Sequence, residues 1–427
     1  MSNPGINASR LFLASRIALV VTAMSFALRG NAGAAWIAQF HLSNEQLGLV
    51  NGTAFLGFTL AMMFGGPLCD ALGLGRIVWL AFAGHVLGIG LTLFAWNFIS
   101  LFIGTLIFGI ANGFVEAACN PLIATIYASD KTTYLNRFHV WFPGGLVVGG
   151  LWGYLADRLG GGWQLEFAAM LIPTAAYGIL FFGQDIPQTE RVQSGVSTGG
   201  MFGACVRPVF LLMVACMFLT GATELGTNQW IPTILTNAGV SGILVLVWIS
   251  GLMAVGRQFA GVFVHQLSPL GMLLASGVVS TLGLLAISQS HGPMLFVAAT
   301  VFAIGVCFFW PTMLGSVNER FPRTGALGLA VMGGAGMLST FVVLPIIGRF
   351  TDQDIAARIP AGQTVASLSA AAPASDLGAL WMRIQADAGL HTLGRMAVLP
   401  AIVTVVFAGM LIFRKRAVPA GVPAPQA

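Results

Sequence analysis

Long apolar runs, each cut by a short polar or glycine-rich stretch, fill the chain from residue 11 onward. A membrane-crossing helix takes about 20 apolar residues. The punctuation gives twelve such segments, at roughly 11–38, 46–69, 75–96, 98–126, 136–157, 163–183, 208–231, 240–264, 270–289, 293–315, 326–349 and 393–413. The first run carries Arg10 and Arg16, is too long for a removable signal peptide and lacks a clear small-residue cleavage site. The pattern predicts an all-α polytopic membrane protein of twelve transmembrane helices.

The interruptions set the organisation. Residues 184–207 form a linker with Gln-Thr-Glu-Arg and a Ser/Gly-rich stretch, so the expected units are a six-helix bundle over 1–183 and a second over 208–427. Gly145, Gly149, Gly153 and Asp157 in the fifth segment are echoed by Gly333 to Gly336, Gly348 and Asp352 in the eleventh. Such parallel repeats are typical of transporters that hold substrate between two halves. The Ala-, Ser- and Pro-rich stretch 352–391 reads as an outside loop, with an amphipathic patch at Leu380 to Ile384 serving as a short surface helix or flexible lid.

Composition narrows the class. Only 8% of residues are charged against about 25% in soluble domains, and 57% are hydrophobic. With the N-terminus cytoplasmic, twelve Lys and Arg lie inside (among them Arg10, Arg76, Lys131, Arg137, Arg320 and Lys415) and five outside, with Arg29 and Arg257 within helices. Both termini are therefore expected in the cytoplasm, at a bacterial inner membrane. This placement accounts for the net charge of +5 without a nucleic-acid partner. Cys69, Cys119, Cys205, Cys216 and Cys307 lack metal-ligand spacing and read as buried apolar side chains. No nucleophile–base pair or metal cluster suggests an enzyme, and neither tail offers a signalling domain of usable length.

Against this background two carboxylates stand out. Glu116 and Glu224 lie deep in apolar segments, where a charge costs on the order of 3 kcal/mol and usually serves a substrate, ion or proton. In the fourth helix Asn112, Glu116 and Asn120 recur every four residues on one face, and Pro121 frees a backbone carbonyl beside them. They would line a cavity or bind neighbouring helices as glue. In the seventh helix Glu224, Thr227 and Asn228 share a face, with Trp230 near one rim as a sugar-stacking ring or an interfacial anchor. Trp310, beside Pro311 in the tenth helix, is a stacking platform or packs toward lipid. Arg29 could snorkel to the outer interface, pair with Glu116 or Glu224, or bind an anionic substrate. Arg257 reads as structural.

Between helices two and three the run Gly66-Pro67-Leu68-Cys69-Asp70-Ala71-Leu72-Gly73-Leu74-Gly75-Arg76 resembles the signature loop of the major facilitator superfamily. That resemblance implies two pseudo-symmetric bundles and a conformational latch at Gly66, Asp70, Gly73 and Arg76. The second half has Gly256-Arg257 without an aspartate, so any latch there is built differently. Asn112-Gly113-Phe114-Val115-Glu116, continuing to Asn120-Pro121, is similar to the fucose/galactose/glucose proton symporter branch, as are Leu135-Asn136-Arg137-Phe138-His139 and the Glu224 to Trp230 spacing. His139 stands where the branch has a glutamine, and the first helix carries Arg29 and no acid, whereas that of the branch's fucose carrier has an aspartate.

The branch implies a proton-coupled monosaccharide carrier driven by the proton gradient with no cofactor, and the expected state is a monomer. Glu116 or Glu224 would couple the proton. Asn112, Glu116, Asn120, His139, Glu224, Thr227, Asn228, Trp230, Trp310 and Arg29 would bind substrate. The alternatives are an organic-anion carrier using Arg29 and a facilitative sugar uniporter.

Overall fold

The computed structural model describes residues 6–128, 131–188, 203, 205–258, 260–321, 324–372 and 374–416. The first group of helices is α1 (Ala8–Phe40), α2 (Asn44–Leu72), α3 (Leu74–Leu93), α4 (Phe98–Ile126), α5 (Lys131–His139), α6 (Trp141–Arg158), α7 (Gly162–Ala169) and α8 (Leu171–Phe181). After the linker come α9 (Pro208–Gly221), a π-helical turn (Ala222–Gly226), α10 (Thr227–Asn237), α11 (Gly242–Gln258), α12 (Ala260–Gln289), α13 (Met294–Val306) and α14 (Phe309–Arg320). The chain closes with α15 (Gly325–Arg358), α16 (Val365–Ser369), α17 (Asp376–Met396) and α18 (Val398–Arg416).

Among the described residues ten helical stretches are long and apolar enough to cross a membrane, and Gly242–Arg257 is a shorter apolar helix. The expected fifth segment is split into α5 and α6, and the expected eighth and ninth are divided at Ser268, whose φ of 59 puts it in the left-handed region inside α12. Two further boundaries differ from expectation. α15 runs on to Arg358 and α17 starts at Asp376, so the expected loop 352–391 shrinks to residues 359–375 around α16. Ile355, Leu368, Ile384 and Ala388 form a small apolar core beneath it, packed by Leu380 and Trp381. The patch that suggested a surface helix therefore belongs to the first turns of α17.

Local chemistry fixes the ends. Ser43 with Gln46 and Asn97 with Ser100 make capping boxes that start α2 and α4. Gly73, at φ 87, makes the turn from α2 to α3, a conformation that side chains with a Cβ rarely adopt. Small residues then set the packing. A Cβ at Gly109 or Gly113 of α4 would collide with Ala54, Phe58 or Ala61 of α2, so the two backbones approach closely through a small-xxx-small stripe. That contact turns the adjacent face of α4, with Asn112 and Glu116, away from α2.

The two groups of helices meet through α1 with α10, α2 with α15, and α6 with α11. The tightest meetings lie at the end of the molecule that carries residues 40–44 and 352, called here the far face; the opposite end, with Ala8 and Phe181, is the terminal face. Thr233 donates to the Gly30 carbonyl at 3.1 Å, and a Cβ at Gly48 would overlap the backbone of Leu344 and Pro345. Asp352, at the far end of α15, caps α2 of the other group: its carboxylate accepts from the Asn44 N–H at 3.1 Å, the Asn44 amide at 2.8 Å and the Glu45 N–H at 3.0 Å. Further toward the terminal face, the same pair of helices meets through the flexible side chains of Met62 and Met63 against Gly333 and Gly334.

Asp352 is thus a lock on the far face. Asp352→Ala is expected to weaken closure by on the order of 1–2 kcal/mol, a roughly tenfold rise in the open fraction. Labelling of a Thr233→Cys reporter by a membrane-impermeant maleimide reads this out; an unchanged labelling rate means that the cap holds nothing shut.

Candidate functional site

The polar stripe of α4 divides into two parts. Asn112 is fully buried and both ends of its amide are taken: Nδ2 donates to Ser25 Oγ at 3.0 Å, and Oδ1 lies 3.0 Å from His85 Nε2. His85 Nδ1 in turn lies 2.8 Å from the Tyr177 hydroxyl. A chain of hydrogen bonds thus ties α1, α4, α3 and α8 together, and Asn112 acts as glue where a cavity lining was expected. One turn on, Glu116 accepts from the Asn120 amide at 2.7 Å and has His139 Nδ1 4.0 Å away. The His139 side chain is 48% exposed, so this second part of the stripe communicates with solvent through the imidazole.

Prolines free backbone carbonyls as expected, and protein side chains take them. The Ala117 carbonyl, four residues before Pro121, accepts from the Cys69 thiol of α2 at 3.5 Å. The Cys307 carbonyl, four residues before Pro311, accepts from Arg257 Nε at 3.0 Å. The same Arg257 pairs with Glu224 at 3.1 Å. Glu224 sits in the π-helical turn, a distortion frequent at functional sites. Its partner is therefore Arg257, with Arg29 elsewhere.

Arg29 takes neither the snorkelling nor the ion-pairing position. It is 0% exposed, Nε donates to the Ser25 carbonyl at 3.0 Å, and the guanidinium lies 4.8 Å from the Phe26 ring centroid and 5.9 Å from that of Phe55. Both terminal nitrogens lack a hydrogen-bond partner. Thr22, two turns earlier on the same face of α1, and Asn51, one turn from Phe55 on α2, are also buried with unpartnered side-chain polar atoms. Phe26 packs against Phe55 at 4.8 Å and Phe142 at 5.8 Å, giving the cation an aromatic surround.

Other expected site residues are dispersed. Trp230 is buried in the core, not at a rim, and its N–H donates to the Leu344 carbonyl at 3.2 Å. Trp310 packs against Gly336 of α15. Thr227 and Asn228 keep unpartnered oxygens on α10. At the turn from α2 to α3, Gly66 has open space where a Cβ would point and Arg76 is exposed; the Asp70 side chain lies outside the described residues. Ser25, His85, Tyr177, Asn31, Asp157, Glu166 and Asp352 were not singled out as site residues. Only Glu166, an acid inside the sixth apolar run, carried a sequence signal comparable to Glu116.

Comparison with known proteins gives a consistent class. A sequence model of the family described as Major Facilitator Superfamily matches residues 17–343. The 3-(3-hydroxy-phenyl)propionate transporter of Escherichia coli is 27% identical over 326 residues, 71% of this chain and 78% of that protein. The cis,cis-muconate transport protein of Acinetobacter baylyi is 26% identical over 243 residues, 53% of this chain; the match spans 58% of that transporter's length. A bacterial homolog of the human lysosomal transporter Spinster, in an inward-facing and occupied conformation, superimposes with a TM-score of 0.80 at 15% identity, covering 100% of both chains. None of these three is a fucose, galactose or glucose symporter, and the finer branch resemblance gains no support from them.

The Glu224 and Arg257 pair yields a stability test. Removing either partner from a buried pair costs roughly 3 kcal/mol because the other charge is left behind. Glu224→Ala and Arg257→Ala are each expected to lower the unfolding midpoint in detergent, and the double variant to lose clearly less than the sum. Strict additivity would show that the two groups do not depend on each other.

Proposed function

The chain belongs to the major facilitator superfamily, as a membrane-embedded transporter of small molecules, and on that premise we propose that its substrate is a small organic carboxylate anchored by Arg29. The observation that carries this reading is the buried guanidinium with two unpartnered nitrogens. A charged donor left unsatisfied in the interior is costly, and a carboxylate meets a guanidinium fork with two parallel hydrogen bonds. A neutral sugar would supply hydroxyls but leave the positive charge uncompensated. Thr22 and Asn51 offer neutral contacts, and Phe26, Phe55 and Phe142 suit an unsaturated or aromatic body. The names of the two relatives, a muconate carrier and a hydroxyphenylpropionate carrier, support the same class.

Proton coupling belongs to this reading. With the terminal face in the cytoplasm, an inside-negative potential opposes anion uptake by about 2.3 kcal/mol per charge per 100 mV, and a co-transported proton cancels that work. Glu116, with Asn120 and His139, is the group that releases the proton at the terminal face. Glu224 is committed to Arg257. Gly66, Asp70, Gly73 and Arg76 latch the terminal face when it closes.

The test is uptake of labelled 3-(3-hydroxyphenyl)propionate by proteoliposomes. Unlabelled carboxylates, muconate included, are expected to compete, while fucose and xylose do not. Arg29→Gln is expected to abolish uptake, and Arg29→Lys to leave a few per cent or less, on the order of a 100-fold loss, because an ammonium cannot make the bidentate contact. Competition by neutral sugars together with full activity of Arg29→Gln overturns the proposal. Glu116→Gln is expected to lose accumulation driven by a pH gradient and to retain exchange of labelled for unlabelled substrate; retained pH-driven accumulation removes Glu116 from the mechanism.

A further inference from the structure

A second polar centre lies on the opposite side of α1 from the Phe26 and Phe55 contacts of Arg29. Asn31, two residues beyond Arg29, directs its amide nitrogen at two carboxylates at once: Asp157 Oδ2 of α6 at 3.0 Å and Glu166 Oε1 of α7 at 2.9 Å. Asp157 is exposed at the far face, whereas Glu166 is 1% exposed. The other Glu166 oxygen, Oε2, is buried and has no hydrogen-bond donor. It points toward Gly153, where a Cβ would come within 3.4 Å of it and 3.2 Å of the Asn31 amide, so the absence of a side chain keeps the space over the cluster open.

The neighbouring charges point elsewhere. Arg158 of α6 is turned onto the Tyr154 ring. Arg29 of α1 lies on Phe26 and Phe55. His85 of α3 is held by Tyr177 of α8 and Asn112 of α4. One amide therefore serves two carboxylates, with no cation joined to either among the described residues, a like-charge juxtaposition that an added proton would relieve.

We propose that Asp157, Asn31 and Glu166 form a proton-binding site loaded from the far face. A proton from solvent attaches to a Glu166 oxygen, with Asp157 as the exposed group that relays it and Asn31 holding the two carboxylates together. Loading needs no opening of the contacts between the two groups of helices, because Asp157 already meets solvent while Thr233 and Gly30 are in contact. The site rests on the transport reading for its use, as the place where the coupling proton is captured before Glu116 releases it at the other face. Its occupancy is a property of the protein alone.

The experiment is therefore made first without substrate. Wild-type protein in phosphatidylcholine–phosphatidylglycerol vesicles is titrated from alkaline to acid while infrared difference spectra follow the protonated-carboxyl stretch. The expected result is a carboxyl band that disappears in Glu166→Gln and whose midpoint shifts in Asp157→Asn. Asp157 is exposed, so Asp157→Asn is expected to fold, as its thermal unfolding checks, and that variant decides even where Glu166→Gln is unstable. An unshifted midpoint in Asp157→Asn, or a band unchanged in Glu166→Gln, overturns the proposal, as does a band displaced by sodium at constant pH, which would make this a cation site. Transport is the second arm: Glu166→Gln should keep exchange of labelled 3-(3-hydroxyphenyl)propionate and lose pH-driven accumulation. Loss of both by a variant of native thermal stability would assign the cluster to structure and overturn its coupling role. A normal band titration in a protein that takes up no carboxylate would refute the substrate reading and leave the proton site standing.

Discussion

A charge inside a bilayer must be met by another charge, by dipoles or by a ligand, and this constraint orders the polar side chains of the whole molecule. Arg257 meets it with Glu224 and with a carbonyl that Pro311 has released. Glu116 meets it with Asn120 and an imidazole open to solvent. Arg29 meets it only in part, through one carbonyl and two aromatic faces, and its terminal nitrogens are left for something the protein does not supply. The three groups occupy similar apolar surroundings in the sequence, yet the degree of satisfaction separates a buried ion pair, a solvent-linked acid and a guanidinium with two unpartnered nitrogens.

The same economy shapes the helix contacts. Hydrophobic burial does little to join helices in lipid, so association relies on close backbone approach and hydrogen bonds. Within the first group the approach is made by Gly109 and Gly113 of α4 on α2; between groups it is made by Gly48 and by the Gly30 to Thr233 contact. The between-group contacts are tight at the far face and pass into methionine packing toward the terminal face. An arrangement hinged in this way can release one face without disturbing the glycine stripe that holds α2 to α4.

How much of this the sequence disclosed depended on the range of the interaction. Apolar runs placed nearly every helix, because bilayer thickness sets a length that can be counted. Boundaries were lost where polarity stopped being a guide: α15 and α17 project past the apolar runs and pack on each other through Ile355 and Ile384, a tertiary contact invisible in either segment alone. Glu116 and Arg29 were legible as misplaced charges, but their partners were not, since pairing depends on rotation about the helix axis and on neighbours distant in sequence. Trp230 and Asn112 illustrate the consequence. Both share a face with site-like residues, yet each is used up by a neighbouring helix. The repeat that matched Asp157 with Asp352 was visible in the glycine pattern; that both acids serve the far face, one on the Asn31 amide and one on a helix N-terminus, depends on how distant helices meet.

The separation of Arg29 from Glu116 constrains how substrate and proton can influence each other. Arg29 lies one turn from Ser25 toward the far face, and Glu116 one turn from Asn112 toward the terminal face, with Ser25 and Asn112 hydrogen-bonded at 3.0 Å. Two turns of helix place the charges roughly 12 Å apart along the axis, too far for direct pairing. A carboxylate on Arg29 therefore does not compete with Glu116 for the same cation. What joins them is mechanical: Ser25 holds Arg29 by its carbonyl and Asn112 by its hydroxyl, and Asn112 is anchored to His85. Ser25 thus links the turn of α1 that carries Arg29 to the turn of α4 that precedes Glu116. The buried amide of Asn112, which was expected to line a cavity, instead joins these two turns, and this is what its two satisfied hydrogen bonds do in the middle of an apolar bundle.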